Sequence, residues 1–265
     1  GVDLTDVGRS DCHVGDIRQD SIRDLIPEDV DAIVHLAALS RDPDCRGKAF
    51  DCFDSNVMST LRLMDIAQEK GAKQFVFSSS EWVYSHYPNG EDVTEDTFID
   101  ITKHKSEYAL SKLVTEANLR QRYLQGYIPV TILRFGIVYG PRPSNWCAVE
   151  GLLNQVRTKE EITVGAKQTA RSFIHVDDIA RGIGMSLGKP DFNIYNLQGS
   201  KLVTLEDVIT SSAQLLKRDV RIIESNPENP SIRTVSGNKA KEELGFEANI
   251  SLQDGLQSVI DFLGW

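Results

Sequence analysis

Apolar runs in the first half of this chain alternate between two lengths and two periods, and that alternation leaves few folds open. Ala32-Ile33-Val34-His35-Leu36-Ala37-Ala38 is a short apolar run bounded by Asp31 and a polar stretch, the pattern of a buried strand. Residues 54–70 carry Val57, Leu61, Met64 and Ala67 at helical spacing, and Gly71 stops the run. Gln74-Phe75-Val76-Phe77 is a second buried strand, ending at Ser78-Ser79-Ser80. A loop rich in Pro, Gly, Asp and Glu follows over 86–104. The spacing then predicts a helix over Glu107–Leu124, with Gly126 beyond it, and a third strand over Val130–Phe135. Strand, helix, strand, helix, strand is the βαβ rhythm of a parallel, doubly wound α/β sheet.

After Gly140-Pro141-Arg142-Pro143 the rhythm changes to shorter, less regular elements. Helices are expected near 148–157 and 178–187, and strands near 162–164, 172–176 and 193–197. Residues 204–216 read as a helix with Thr204 as N-cap and Asp207 at N3, and 251–262 as the last helix. Ser225-Asn226-Pro227-Glu228-Asn229-Pro230 is a loop.

The totals exclude several function classes. Hydrophobic content of 40% with 26% charged residues is that of a globular chain. No apolar run reaches the length of a membrane span, and no signal-peptide pattern opens the chain. A net charge of −10 without a basic tract argues against a nucleic-acid surface. Cys12, Cys45, Cys52 and Cys147 form no C-x-x-C pair and read as free thiols in a reducing cytoplasm. The histidines show no ligand spacing, so no metal site is expected.

The chemistry sits at two places. Ser78-Ser79-Ser80-Glu81-Trp82-Val83-Tyr84 closes the second strand, and Tyr108-Ala109-Leu110-Ser111-Lys112 opens the long helix. Positions i and i+4 share a helix face, which sets the Lys112 ammonium beside the Tyr108 phenol. A phenol that moves protons near neutral pH must lose much of its usual pKa of about 10, and an ammonium lowers it. A serine at a neighbouring strand end then holds the substrate oxygen.

Six motifs in register extend this pattern: Gly15-Asp16-Ile17-Arg18, His35-Leu36-Ala37-Ala38, Asn56-Val57, the serine run with Tyr108-x-x-x-Lys112, Arg134-Phe135-Gly136-Ile137-Val138-Tyr139-Gly140-Pro141, and Arg171-Ser172-Phe173-Ile174-His175-Val176-Asp177-Asp178. Together they resemble the extended short-chain dehydrogenases/reductases, in the group of NAD-dependent nucleotide-sugar epimerases and dehydratases. The resemblance runs from the first residues to the last helix. It implies a Rossmann-like domain over 1–141 and 172–197, with a smaller α+β substrate lobe over 142–171 and 198–265. The family's opening strand, glycine-rich turn and helix have no counterpart here, since no G-x-x-G-x-x-G occurs. Gly1-Val2-Asp3 then resembles the end of the family's second strand, and roughly 30 residues are expected upstream of it.

The resemblance also implies roles. Tyr108 transfers protons, Lys112 lowers its pKa and binds the ribose, and Ser80 bonds the reacting oxygen. Asp3 holds the adenosine ribose hydroxyls and Asp16 and Ile17 flank the adenine. Leu36, Ala37, Ala38, Leu39 and Ser40 line the cofactor floor with Ser78, and Phe135 and Gly136 lie near the nicotinamide. Asn56 either bridges backbone near the cofactor or caps the helix. Asp3 favours NAD over NADP, with Arg9 keeping NADP as the minority reading. Arg171 matches the family's diphosphate clamp, with Asn145 and Arg233 as further substrate ligands. A cytoplasmic homodimer packed through 54–70 and Glu107–Leu124 is implied, with Leu110, Val114 and Ala117 along one face.

Departures narrow the reaction. Dehydratases of the family place Asp-Glu after the catalytic hydroxyl residue, and decarboxylases keep the Glu; here Glu81 and Trp82 stand there. Glu81 retains a carboxyl beside the substrate, but Trp82 has no proton to give. Ile137 replaces a substrate-contacting Asn, and Asn226 stands near where epimerases carry a second phosphate-binding Arg. The expectation is an NAD-dependent 4-epimerase of a nucleotide sugar. The alternatives are a one-way dehydrogenase or reductase, and a non-catalytic binding relative.

Overall fold

A computed structural model describes residues 1–265, which form two compact units. The first comprises Gly1–His86, Phe98–Arg134 and Ser186–Tyr195; the second comprises Tyr87–Thr97, Phe135–Met185 and Asn196–Trp265. The second unit thus takes in 87–97, 135–141, 172–185 and 196–197 beside the residues expected in the smaller lobe.

The first unit is built on a four-stranded sheet in the order Phe192–Leu197, Val130–Phe135, Phe75–Ser80, Ile33–His35. Ile33 to His35 run parallel to Phe75 to Phe77 in register. All six residues of Phe75–Ser80 are buried, which accounts for the unbroken apolar reading of 74–77. Helices Ser59–Glu69 and Glu107–Leu124 supply Leu63, Met64, Ala67 and Leu119 to a core with Phe75, Phe77, Val130 and Ile132. Burying each phenylalanine contributes about 2 kcal/mol. The Glu107–Leu124 helix starts where Ser106 Oγ accepts the Ala109 N–H at 3.2 Å, and it stops before Gly126 at φ 88°. A separate parallel pair, Val2–Asp3 with His13–Val14, completes the strands of this unit. Both this pair and the Ile33–His35 strand are paired on one side only.

The expected strand over 32–38 is shorter, Ile33–His35, because the chain leaves the sheet at Leu36. The polar stretch after it folds into two short helices, Asp42–Cys45 and Ala49–Phe53. The helix expected over 54–70 begins with one π-turn, Asp54–Met58, and is α-helical over Ser59–Glu69.

The second unit packs Ala148–Thr158, Leu205–Leu216 and Leu252–Leu263 around Leu153, Val156, Ile162, Val208, Leu256 and Val259. Two capping boxes start its helices, Cys147 with Glu150 and the expected Thr204 with Asp207. Its strands are short pairs: Glu161–Val164 with Arg221–Glu224, Val138–Tyr139 with Ile174–His175, Ala170–Arg171 with Val203–Thr204, and Asp92–Val93 with Thr234–Val235. The single strand expected over 172–176 is therefore two, because residues 170–171 and 174–175 pair with different partners. Gly255 lies directly against the Tyr139 ring, where any side chain would collide with the phenol. No helix is long and apolar enough to cross a membrane.

Candidate active site

The buried strand Phe75–Ser80 delivers its serine run to the N-terminal part of the Glu107–Leu124 helix. Ser80 ends the strand and caps a 3-10 turn, Glu81–Tyr84, its Oγ accepting the Trp82 N–H at 3.3 Å. Tyr108 and Lys112 are both buried on the helix, one turn apart. Lys112 Nζ donates to the Ser78 carbonyl at 2.7 Å, and lies 4.7 Å from the Phe77 ring centroid and 5.9 Å from that of Tyr108.

The electrostatics correct one expectation. Burial raises the Tyr108 phenol to about 12, and its hydrogen bond with the Ser80 hydroxyl pulls the other way without winning. Burial brings Lys112 itself down to about 8, against the Glu116 carboxylate one turn on, which raises it. The protein alone therefore holds a neutral phenol beside an ammonium committed to a backbone carbonyl.

A second buried layer supports this one. Arg134 Nη2 meets Glu116 Oε2 at 2.6 Å, its Nε meets Oε1 at 3.1 Å, and its Nη1 donates to Tyr84 Oη at 2.6 Å. Ser79 Oγ also donates to Glu116. Burial opposes the Arg134 charge, but Glu116 and Tyr84 more than restore it.

Asn56 bridges the Leu39 backbone and the Glu107–Leu124 helix. Its Oδ1 accepts the Leu39 N–H at 2.8 Å, and its Nδ2 donates to Leu39 O and Ser111 Oγ, both at 3.0 Å. It sits inside the π-turn, not at a helix cap. The loop at Leu39 is thereby tied to the helix that carries Tyr108.

A cavity of about 590 Å³ opens beside this loop. Asp3, Asp16, Ile17, Ala37, Ala38 and Leu39 line it together, as a cofactor floor requires. Arg18, Asp44, Lys48 and Asp51 line it too and escaped the sequence reading; the last three lie on or between the two unanticipated short helices. Leu36 and Ser40 are exposed outside this lining, and the Ser78 side chain is buried in the strand. Asp3 Oδ1 already accepts Thr5 N and Oγ1 at 3.0 Å each. Arg18 forks onto Asp16, holding that carboxyl below its usual range. Arg9 is paired with Asp11 at 2.7 Å and does not line the cavity. His35, buried against Thr60 Oγ1 at 2.9 Å, is brought down to about 3 by burial and stays neutral.

Phe135, Gly136, Asn145, Arg171 and Arg233 belong to the second unit. A bridge between Ala170 and Ile232 sets Arg171 and Arg233 side by side along the chain. Arg171 Nη1 donates to the Ala170 and Ser231 carbonyls at 2.7 Å, and Nη2 to Ser231 Oγ at 2.9 Å. Asn145 is exposed and held at φ 59°, and the Gly136 N–H donates to Leu197 O at 2.9 Å. Glu81 is fully buried, while Trp82 is half-buried and packs against the cluster of Cys45, Cys52 and Tyr108.

Residues 3–197 match the model of the NAD dependent epimerase/dehydratase family. The chain belongs to that family. An uncharacterized UDP-glucose epimerase of Bacillus subtilis is 31% identical over 89% of this chain and 75% of its own length. UDP-glucuronic acid decarboxylase 6 of Arabidopsis thaliana is 29% identical over 91% of this chain and 71% of its own. Among solved structures, a UDP-glucuronic acid 4-epimerase from Bacillus cereus, in complex with UDP-glucuronic acid and NAD, superposes with TM-score 0.81 at 25% identity, covering 97% of this chain and 83% of that one. Epimerase/dehydratase relatives thus include both epimerases and decarboxylases, and the family's Rossmann-type α/β fold is the one found here.

Proposed function

We propose that this protein is an NAD-dependent 4-epimerase of a nucleotide sugar. The observation that carries the reading is Leu39, which forms part of the cavity wall, packs against the cluster of Cys45, Cys52 and Tyr108, and is tied by Asn56 to Ser111 on the Tyr108 helix. Through it the space suited to a dinucleotide adjoins the hydroxyl, phenol and ammonium of Ser80, Tyr108 and Lys112.

The residues present suit NAD. Ala37 and Ala38 leave room for close approach, and the Asp3 carboxylate accepts ribose hydroxyls while repelling a 2′-phosphate. With Arg9 taken up by Asp11, NAD is favoured over NADP. NAD+, when bound, supplies the hydride acceptor and a positive ring charge beside the phenol. Tyr108 exchanges the C4 hydroxyl proton, Ser80 holds the same oxygen, and Lys112 binds the ribose and favours the phenolate. The 4-keto sugar turns over and is reduced on its other face. Trp82 stands where elimination and decarboxylation need an acid and has no ionisable proton, so oxidation and reduction at C4 is the chemistry left. Arg171, with Arg233 and Asn145, grips the diphosphate through charge-assisted bonds. The dinucleotide-binding role falls to 1–141 and 172–197, the substrate-binding role to 142–171 and 198–265. The working form is a cytoplasmic homodimer packed through the 54–70 and 107–124 helices.

A neutral phenol also suits proton donation to a ketone, which favours a one-way reductase as the second reading. Incubation with NAD+ and UDP-glucose separates the two. The 4-epimer without net NADH supports the first; stoichiometric NADH sinks it.

A further inference from the structure

We propose that Asn89 is a positioning residue for the nucleoside diphosphate of the substrate: its side-chain amide fixes the segment 230–233 that holds the Arg171 guanidinium in place, a role that rests on the reading of Arg171 as the diphosphate grip. Every residue involved belongs to the second unit. Asn89 Nδ2 donates to the Pro230 carbonyl at 2.7 Å, and its Oδ1 accepts the Ile232 N–H at 3.0 Å. One amide thus holds the backbone on both sides of Ser231, from a loop far off in the sequence. Ser231 in turn sets Arg171: its carbonyl accepts Arg171 Nη1 at 2.7 Å and its hydroxyl accepts Nη2 at 2.9 Å. The same carbonyl accepts the Ala170 N–H at 3.0 Å, and the Arg233 N–H donates to the Ala170 carbonyl at 3.3 Å, so both arginines hang on this one segment.

The local backbone explains why a side chain does this work. Asp92–Val93 runs parallel to Thr234–Val235, but the ladder stops short of residues 89–90 and 230–232. Gly90 turns the chain out at φ 83°, and Pro230 has no N–H to pair. The asparagine amide carries the donor and the acceptor of a peptide group in one side chain, so it replaces the missing rung. Pro88 to Glu91 are exposed, and the two bonds of Asn89 tie this stretch to 230–232.

A guanidinium grips a diphosphate best when it is oriented beforehand, because immobilising a loose side chain on binding costs affinity. Three bonds orient Arg171, two of them from Ser231 and one from the Ala170 carbonyl, and Asn89 sets where Ser231 stands. Loss of the amide is therefore felt in the affinity for the diphosphate. It is not felt in the cofactor cavity, whose lining residues all belong to the first unit.

The test titrates UDP calorimetrically into the full protein with NAD+ and follows turnover of UDP-glucose. The wild type, Asn89→Ala, Ser231→Ala and Arg171→Gln are measured, with Asn89→Ala and Ser231→Ala each also combined with Arg171→Gln. Arg171→Gln is expected to raise the Kd of UDP about 100-fold, Asn89→Ala about tenfold and Ser231→Ala about threefold. On top of Arg171→Gln, Asn89→Ala adds less than about twofold, because both act through one guanidinium. In turnover, Asn89→Ala raises the KM for UDP-glucose about tenfold, with kcat and the KM for NAD+ each within about twofold. An unchanged Kd in Asn89→Ala, a further tenfold in its combination with Arg171→Gln, or a parallel rise in the KM for NAD+ overturns the proposal. If Asn89→Ala does not fold, Ser231→Ala decides by the same comparison with and without Arg171→Gln. UDP binding that Arg171→Gln leaves unchanged sinks the diphosphate grip and the role of Asn89 together. The expected pattern of UDP binding without C4 inversion of UDP-glucose sinks the epimerase reading and leaves the role of Asn89 standing.

Discussion

Glu116→Gln removes one charge from the buried layer beneath the triad while keeping the side chain's shape. The carboxylate meets Arg134 at 2.6 and 3.1 Å and also accepts from Ser79, and both partners of the ion pair are buried. Glutamine leaves the buried guanidinium charged without its carboxylate, while its bond to Tyr84 stays. Breaking a buried pair on one side costs about 3–5 kcal/mol. For a chain of this size that is a fall of about 10 °C in melting temperature. Replacing Arg134 with Met in the same protein removes the buried charge that has lost its counter-charge and recovers about 2 kcal/mol, a coupling of the size expected for groups in direct contact. Urea unfolding at neutral pH, followed by far-UV circular dichroism for the wild type, both single variants and the double variant, measures each quantity. A Glu116→Gln loss below about 1 kcal/mol, or a double variant as unstable as the sum of the singles, refutes the reasoning.

Other expectations follow from the same geometry. Lys112 has a folded pKa of about 8 against an ordinary 10.5, so its charge costs the fold about 3 kcal/mol below pH 8. That cost is relieved as pH rises, so stability climbs from about pH 8 towards 10, and the climb is absent in Lys112→Met. Tyr108 acts in the opposite sense at higher pH: raised to about 12, its share is present below pH 10 and lost as pH rises through 12. Asn56→Ala frees the Leu39 backbone from two hydrogen bonds and costs about 2 kcal/mol by urea titration, with a higher KM for NAD; an unchanged KM contradicts the link from Leu39 to the cavity. Gly255→Ala forces Tyr139 aside and costs about 1–3 kcal/mol by thermal melting; a neutral outcome shows that the phenol has room to move.

Some of this was legible in the residues and some was not, for physical reasons. Helix Glu107–Leu124 and strand Val130–Phe135 matched their expected bounds, because a serine cap, a glycine stop and continuous apolar burial are local signals. The polar stretch after the apolar run 32–38 gives no helical signal, yet it folds into Asp42–Cys45 and Ala49–Phe53, since Pro43 and the flanking acids mask elements of four and five residues. Lys48 was missed at the cavity for the same reason, whereas Arg18 closes a quoted motif, Gly15-Asp16-Ile17-Arg18, whose spacing does not show that its side chain forks onto Asp16 at the cavity. The spacing of Tyr108 and Lys112 was readable, but the direction of the phenol's shift was not. It depends on burial, which exceeds the pull of the Ser80 hydrogen bond and lowers the lysine too. Asn56 stood between two roles until the Leu39 backbone appeared opposite its amide.

The central claim is that one hydride leaves C4 and returns to the same carbon within one active site, with Tyr108 exchanging the hydroxyl proton. UDP-glucose deuterated at C4, incubated with the full protein and NAD+ in ordinary water, tests it directly. The account predicts a 4-epimer that keeps its deuterium at C4, no net NADH, and loss of the reaction by about 1,000-fold or more in Tyr108→Phe. Deuterium lost from the epimer or recovered in released NADH, or full activity in Tyr108→Phe, contradicts it.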